Sequence, residues 1–78
     1  MIHEHDRIVL RNDLPDNELY AGDVGTVVHV YDEGRAYEVE FCTLRGDTVT
    51  VATVSADHVR PVDENDVTHA RSRSRPAK

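Results

Sequence analysis

The chain has 78 residues, a formal net charge of −6, no Trp and a single cysteine, Cys42. That length holds one small domain, and one cysteine excludes an internal disulfide and a four-cysteine zinc site. Residues 1–62 carry twelve acids against five bases, while from residue 67 onward only bases occur (Arg71, Arg73, Arg75 and Lys78), so the folded face lacks the Lys/Arg stripe that nucleic-acid binding uses.

The opening "MIHEHDRIVL" has acid and His where a signal peptide carries Lys or Arg before an apolar run. No apolar run approaches the roughly 20 residues of a membrane span. A cytoplasmic protein that stays off the membrane is expected. "DRIVLRN" places Ile8 and Leu10 two apart, with Arg7, Val9 and Arg11 opposite, which predicts a strand with one face inward. "DLPDNELYAGD" is rich in turn residues and predicts an irregular loop pinned by Leu14, Leu19 and Tyr20.

In "AGDVGTVVHVY" two glycines flank Asp23-Val24. Glycine permits positive φ and close backbone approach, and either need explains Gly22 and Gly25 without a ligand. "TVVHVY" is β-branched and strand-like. Its alternation is imperfect, because Val27, Val28 and Val30 are all apolar. The strand is therefore either buried on both faces or bulged. "DEGR" predicts a hairpin with positive φ at Gly34. "AYEVEF" alternates cleanly, with Tyr37, Val39 and Phe41 on one face and Glu38 and Glu40 on the other. "LRGDT" supplies a second hairpin and "TVTVATV" a fourth strand. "SADHV" predicts one helical turn capped by Ser55, and "RPV" a short last strand with Pro61 at an edge.

Five short strands with tight turns predict an all-β fold, a small five-stranded barrel over residues 1–62 with one short helical turn before the last strand. The expected core is Ile8, Leu10, Val27, Val30, Tyr37, Val39, Phe41, Val49, Val51 and Val59. "DENDVTHARSRSRPAK" has almost no apolar residues. Such a segment buries too little surface to offset its ordering entropy, which predicts a disordered basic tail over residues 63–78.

The motifs D-L-P, A-G-D-x-G-T-V-V and Y-E-V-E-F, within about residues 6 to 62, resemble the small bacterial family of domain of unknown function 4926. That resemblance implies an SH3-like barrel with no known activity. Gly22, Gly25, Val27 and Val30 also resemble the Gly-x-x-Gly-x-Val-x-x-Val pattern of KOW-type SH3-like domains, which bind RNA or a polymerase surface. Ala21 stands where those domains usually carry a base. A looser likeness runs to the SH3-like C-terminal domain of the nitrile hydratase β subunit. It implies a partner-subunit role, with metal chemistry on the other chain.

No spacing of Ser, Cys, His and Asp supports nucleophilic catalysis, so no catalytic residue is assigned and no enzyme is expected. His3 and His5 in "HEH" point the same way if extended and have the chemistry to share a divalent metal, with His58 as a further candidate; a solvated N-terminus is the stronger reading, and no cofactor is expected. Glu38 and Glu40 read as an outer acidic strip suited to a basic partner. Tyr20 and Tyr31 are the loop-borne aromatics available to a partner surface. The expected function is a non-enzymatic interaction module or small accessory subunit that docks on another protein. Homo-oligomers are compatible with it, because an open sheet edge pairs with its own copy. The alternatives are a nucleic-acid-associated protein using Arg71, Arg73, Arg75 and Lys78, and a metal-binding protein using His3 and His5.

Overall fold

The computed structural model describes residues 1–73. Its strands are β1 (Arg7–Leu10), β2 (Val24–Tyr31), β3 (Ala36–Cys42), β4 (Thr48–Ser55) and β5 (Val59–Pro61). They form one antiparallel sheet in the order β4-β3-β2-β1-β5. Two 3-10 turns, Pro15–Asn17 and Ala56–His58, are the helical elements among the described residues. Ser55 caps the second of these, its hydroxyl accepting from Asp57 N–H at 3.4 Å.

The sheet is not closed into a barrel, which corrects the expectation of closure: β4 and β5 are its two edges and do not pair. β5 is three residues long and ends at Pro61, and proline has no N–H to extend a ladder. The sheet curls instead around one core. Ile8 and Leu10 of β1, Val27 of β2, Tyr37, Val39 and Phe41 of β3, Ala52 and Val54 of β4, and Val59 of β5 meet there with Leu19 from the loop. This open, curled arrangement is compatible with an SH3-like fold.

Two bulges set which side chains enter that core. Between β2 and β3 the register steps from Val27↔Val39 to His29↔Glu38, so Val28 is the extra residue. Val27 and Val30 therefore both turn inward while Val28 is left exposed. Between β3 and β4 the register steps from Phe41↔Thr50 to Cys42↔Thr48, leaving Val49 as the extra residue. Val49 packs against the core, and beyond it the inward positions become Ala52 and Val54. Val51, expected inside, is 46% exposed. Strict alternation from Val49 overlooks this change of phase.

Val9 is also buried. It lies opposite Val24 on one side and Arg60 on the other, and residues directly across a ladder share a face. Arg60 is held there by a two-pronged bond to Asp66, Nη1 to Oδ2 at 2.9 Å and Nη2 to Oδ1 at 2.8 Å. That pairing, with the Asp63 N–H, draws the Asp66 carboxyl down to about 2.

The glycine pair divides two roles. Gly22 has φ +96° and turns the chain. At Gly25 the φ is unexceptional, but a Cβ would lie 2.5 Å from Val39 Cγ1 and 2.8 Å from Phe41 Cε1. The missing side chain there is what lets β2 cross the core. The β2–β3 turn uses left-handed Asp32 and Glu33 before Gly34 at φ +104°, a conformation matched to the twist of a hairpin.

Three substitutions test this packing by chemical denaturation. Val54→Ala is expected to lower stability by about 2–3 kcal/mol, whereas Val51→Ala stays within about 0.5 kcal/mol. Equal losses at the two sites would contradict the bulge at Val49. Gly25→Ala is expected to destabilise by about 1–3 kcal/mol through overpacking, although alanine is the better strand former in isolation.

Candidate functional site

The A-G-D-V-G turn leads into β2 and is tied down on every side. Gly22 N–H donates to Leu10 O, and Leu10 N–H donates to Asp23 O, each at 2.9 Å. Asp23 N–H donates to Tyr20 O at 3.0 Å, Tyr20 N–H returns to Asp23 Oδ2 at 2.9 Å, and Ala21 N–H donates to Asp13 Oδ1 at 2.8 Å. Asp23 is only 8% exposed, the one buried charged residue among those described.

The stretch from Asp63, expected to be disordered, reaches that carboxylate. Arg71 Nε donates to Asp23 Oδ1 at 2.8 Å and Nη2 donates to Oδ2 at 2.6 Å. Nη2 also donates to Glu18 O at 3.1 Å, and the guanidinium lies 4.8 Å from the centre of the Tyr20 ring. His69 Nε2 lies 3.2 Å from Asp23 Oδ1. The stretch is low in apolar residues, and charge pairing seats His69 and Arg71 on Asp23. Beside it runs an open groove of about 750 Å³, bounded by Leu19, Phe41, Cys42, the Thr43–Asp47 turn, Val49 and residues 69–73.

Burial pushes the Asp23 carboxyl up. The hydrogen bonds from Arg71 and Tyr20 N–H, the Arg71 charge and the His69 contact outweigh it and hold the group below its ordinary value. Arg71 is correspondingly pushed up, first by its hydrogen bond to Asp23.

A second neighbourhood is the outer face of β2–β4. Glu38 lies between His29 and Thr53, and Glu40 between Thr26 and Val51. Glu38 Oε1 accepts from Thr53 Oγ1 at 2.6 Å and from the Tyr31 hydroxyl at 3.2 Å, while Glu40 Oε2 accepts from Thr48 Oγ1 at 2.8 Å. Desolvation and the Glu38 charge raise the Tyr31 hydroxyl. His29 packs edge-on against Tyr31, ring centres 4.5 Å apart. Exposed Val28 and Val51 lie on the same strands.

Of the residues singled out in the sequence, Tyr31, Glu38 and Glu40 thus share one face, and Tyr20 belongs to the Asp23 turn. Arg71 is engaged with Asp23 and Arg73 is exposed beside the groove; Arg75 and Lys78 lie outside the described residues. His3 and His5 do not share a strand face, because β1 begins at Arg7 and His5 sits in a turn with φ +75°. His3 pairs instead with Asp6, and His58 ends the second 3-10 turn. No three His, Cys, Asp or Glu side chains gather into a metal-holding group among the described residues, and no helix there is long and apolar enough to cross a membrane. Asp23 and His69 were not legible as site residues; the one local signal was an acid placed between two glycines at a strand entry.

These features define a small all-β domain, one curled antiparallel sheet with a clamped turn at the entry to its second strand. Residues 4–61 match the model of the family described as domain of unknown function DUF4926, and the chain belongs to that family. No curated protein and no solved structure matches the chain.

The lowered Asp23 value fixes the sign of a pH effect. Stability from the clamp is present above the ordinary unfolded value, about 3.9. It is lost as pH falls through the folded value, which lies below that. The Arg71 Nε–H chemical shift is expected to move to its unstructured position in that acid range. Asp23→Asn should place it there already at neutral pH, with no acid transition.

Proposed function

We propose that the chain is a non-enzymatic protein-interaction module, a small accessory protein that docks on another protein. The free edge of β4 supports this. Its eight residues, "TVTVATVS", contain no charge and no proline, the devices that usually blunt an exposed edge. A partner strand adds to such an edge through main-chain hydrogen bonds, with side-chain contacts giving selectivity. The adjoining outer face offers Val28, Tyr31 and Val51 as apolar anchors and Glu38 and Glu40 as an acidic border, which favours a strand with basic flanks. The same two carboxylates are solvated and hydrogen-bonded to hydroxyls. That setting suits a docking surface better than acid–base chemistry, which needs a pocket that separates their pKa values.

A tagged bait expressed in the native host tests this reading. One stoichiometric protein partner is expected with the unaltered chain. Its recovery should fall at least ~10-fold with Val51→Lys or with Glu38→Gln/Glu40→Gln, the loss of a few desolvated contacts, and should persist with Arg73→Ala/Arg75→Ala/Lys78→Ala. Nucleic acid released by high salt and lost with the tail substitutions would overturn the proposal. So would a partner indifferent to Val51.

A further inference from the structure

Arg71 is held as a receptor holds an arginine ligand. Both oxygens of one carboxylate meet the guanidinium fork, at 2.8 and 2.6 Å. A main-chain carbonyl takes a third bond at 3.1 Å, and an aromatic ring lies 4.8 Å from the guanidinium carbon. A planar fork and a stacked ring suit arginine; an ammonium on a flexible stem satisfies neither. The receiving groups are fixed without help from the tail. Asp23 is oriented by Tyr20 N–H and by the paired bonds to Leu10, and the turn is anchored by Asp13. All of them lie inside the family-matched residues 4–61, and Arg71 lies outside. Gly22 also leaves space for the incoming segment, since a Cβ there would come within 3.2 Å of the His69 ring.

We propose that the turn from Glu18 to Asp23 is a binding site for an arginine side chain of a peptide partner, and that Arg71 is its occupant in cis. The site is separate from the β4 edge and does not depend on docking there. The acidic body attracts a basic segment, and the groove beside the clamp gives its flanking residues somewhere to lie. Being tethered, Arg71 acts at a local concentration in the millimolar range, so a trans ligand must compete with it. The tail thereby sets a threshold that only a well-matched partner exceeds.

The probe is a blocked peptide with the sequence of residues 67–73, VTHARSR, titrated into the full-length chain carrying Arg71→Ala and followed by amide NMR. Saturable shifts at Tyr20, Gly22 and Asp23 are expected, with β1–β5 amides unmoved as the check on folding. The same peptide with lysine at both arginine positions should bind at least ~10-fold more weakly, the size of one charged hydrogen bond. Adding Asp23→Asn should abolish binding. The unaltered chain should bind at least ~10-fold more weakly than Arg71→Ala, and enough peptide should drive its own Arg71 Nε–H to the unstructured position. This last titration and Arg71→Gln serve if Arg71→Ala fails to fold. Lack of saturable shifts up to ~10 mM, above the tether's effective concentration, would overturn the proposal. Equal affinity for arginine and lysine peptides, unaffected by Asp23→Asn, would also do so, leaving only the general attraction of an acidic body.

Discussion

A carboxylate taken out of water must be matched, and Asp23 is the group on which that requirement falls. Burying it alone would cost several kcal/mol or force it to bind a proton. The chain meets the need from two directions. Tyr20 N–H comes from the turn itself, and Arg71 comes from 48 residues away. The main chain of Asp23 bonds Leu10, which aligns β1 with the entry to β2. One charge thus joins the loop, the first sheet register and the tail. No buried polar side-chain atom among the described residues is left without a partner.

The sheet illustrates how far period alone carries. "AYEVEF" could be read directly, because a central strand with one inward face shows a clean period of two. "TVVHVY" announced its own irregularity, since three valines at uneven spacing cannot share one face of a regular strand. The Val28 bulge resolves it. "TVTVATV" gave no such warning. Val49, Val51 and the threonines alternate without fault up to Ala52, and the phase change comes from pairing against Phe41 and Cys42. Register between strands is a property of two segments, so one segment's pattern does not contain it. Leu19 shows the same limit. It stood as a residue that pins the loop, but its place in the central cluster depends on the Leu14–Leu19 bridge closing around the 3-10 turn.

The tail shows a different limit. Its composition offers no packed apolar segment, and the contacts of residues 63–73 come by another route. Two ion pairs, Arg60–Asp66 and Arg71–Asp23, fasten it at points. The first is short-range, six residues apart, and lies where β5 leaves off. The second joins residues 48 apart, and no spacing rule relates them. Scanning for charge balance sees four bases and calls them a basic tail. Only the burial of Asp23 distinguishes Arg71 from Arg73.

That distinction separates two surfaces that composition would merge. The acidic character of the body is spread over the outer face, where Glu38 and Glu40 are solvated and held by hydroxyls. In such a setting charge tunes encounter and orientation more than affinity. At Asp23 one carboxylate is desolvated, oriented and backed by a ring, so the geometry of the cation matters as well as its charge. An ion pair of this kind is a weak source of stability, because the desolvation cost offsets much of the attraction. Its stricter demand is on the identity of the partner. With Asp23 buried, Arg71 keeps its charge matched, and the closeness of the fit bears on the identity of the cation: a turn shaped within residues 4–61 that accepts a guanidinium, and a tail that supplies one.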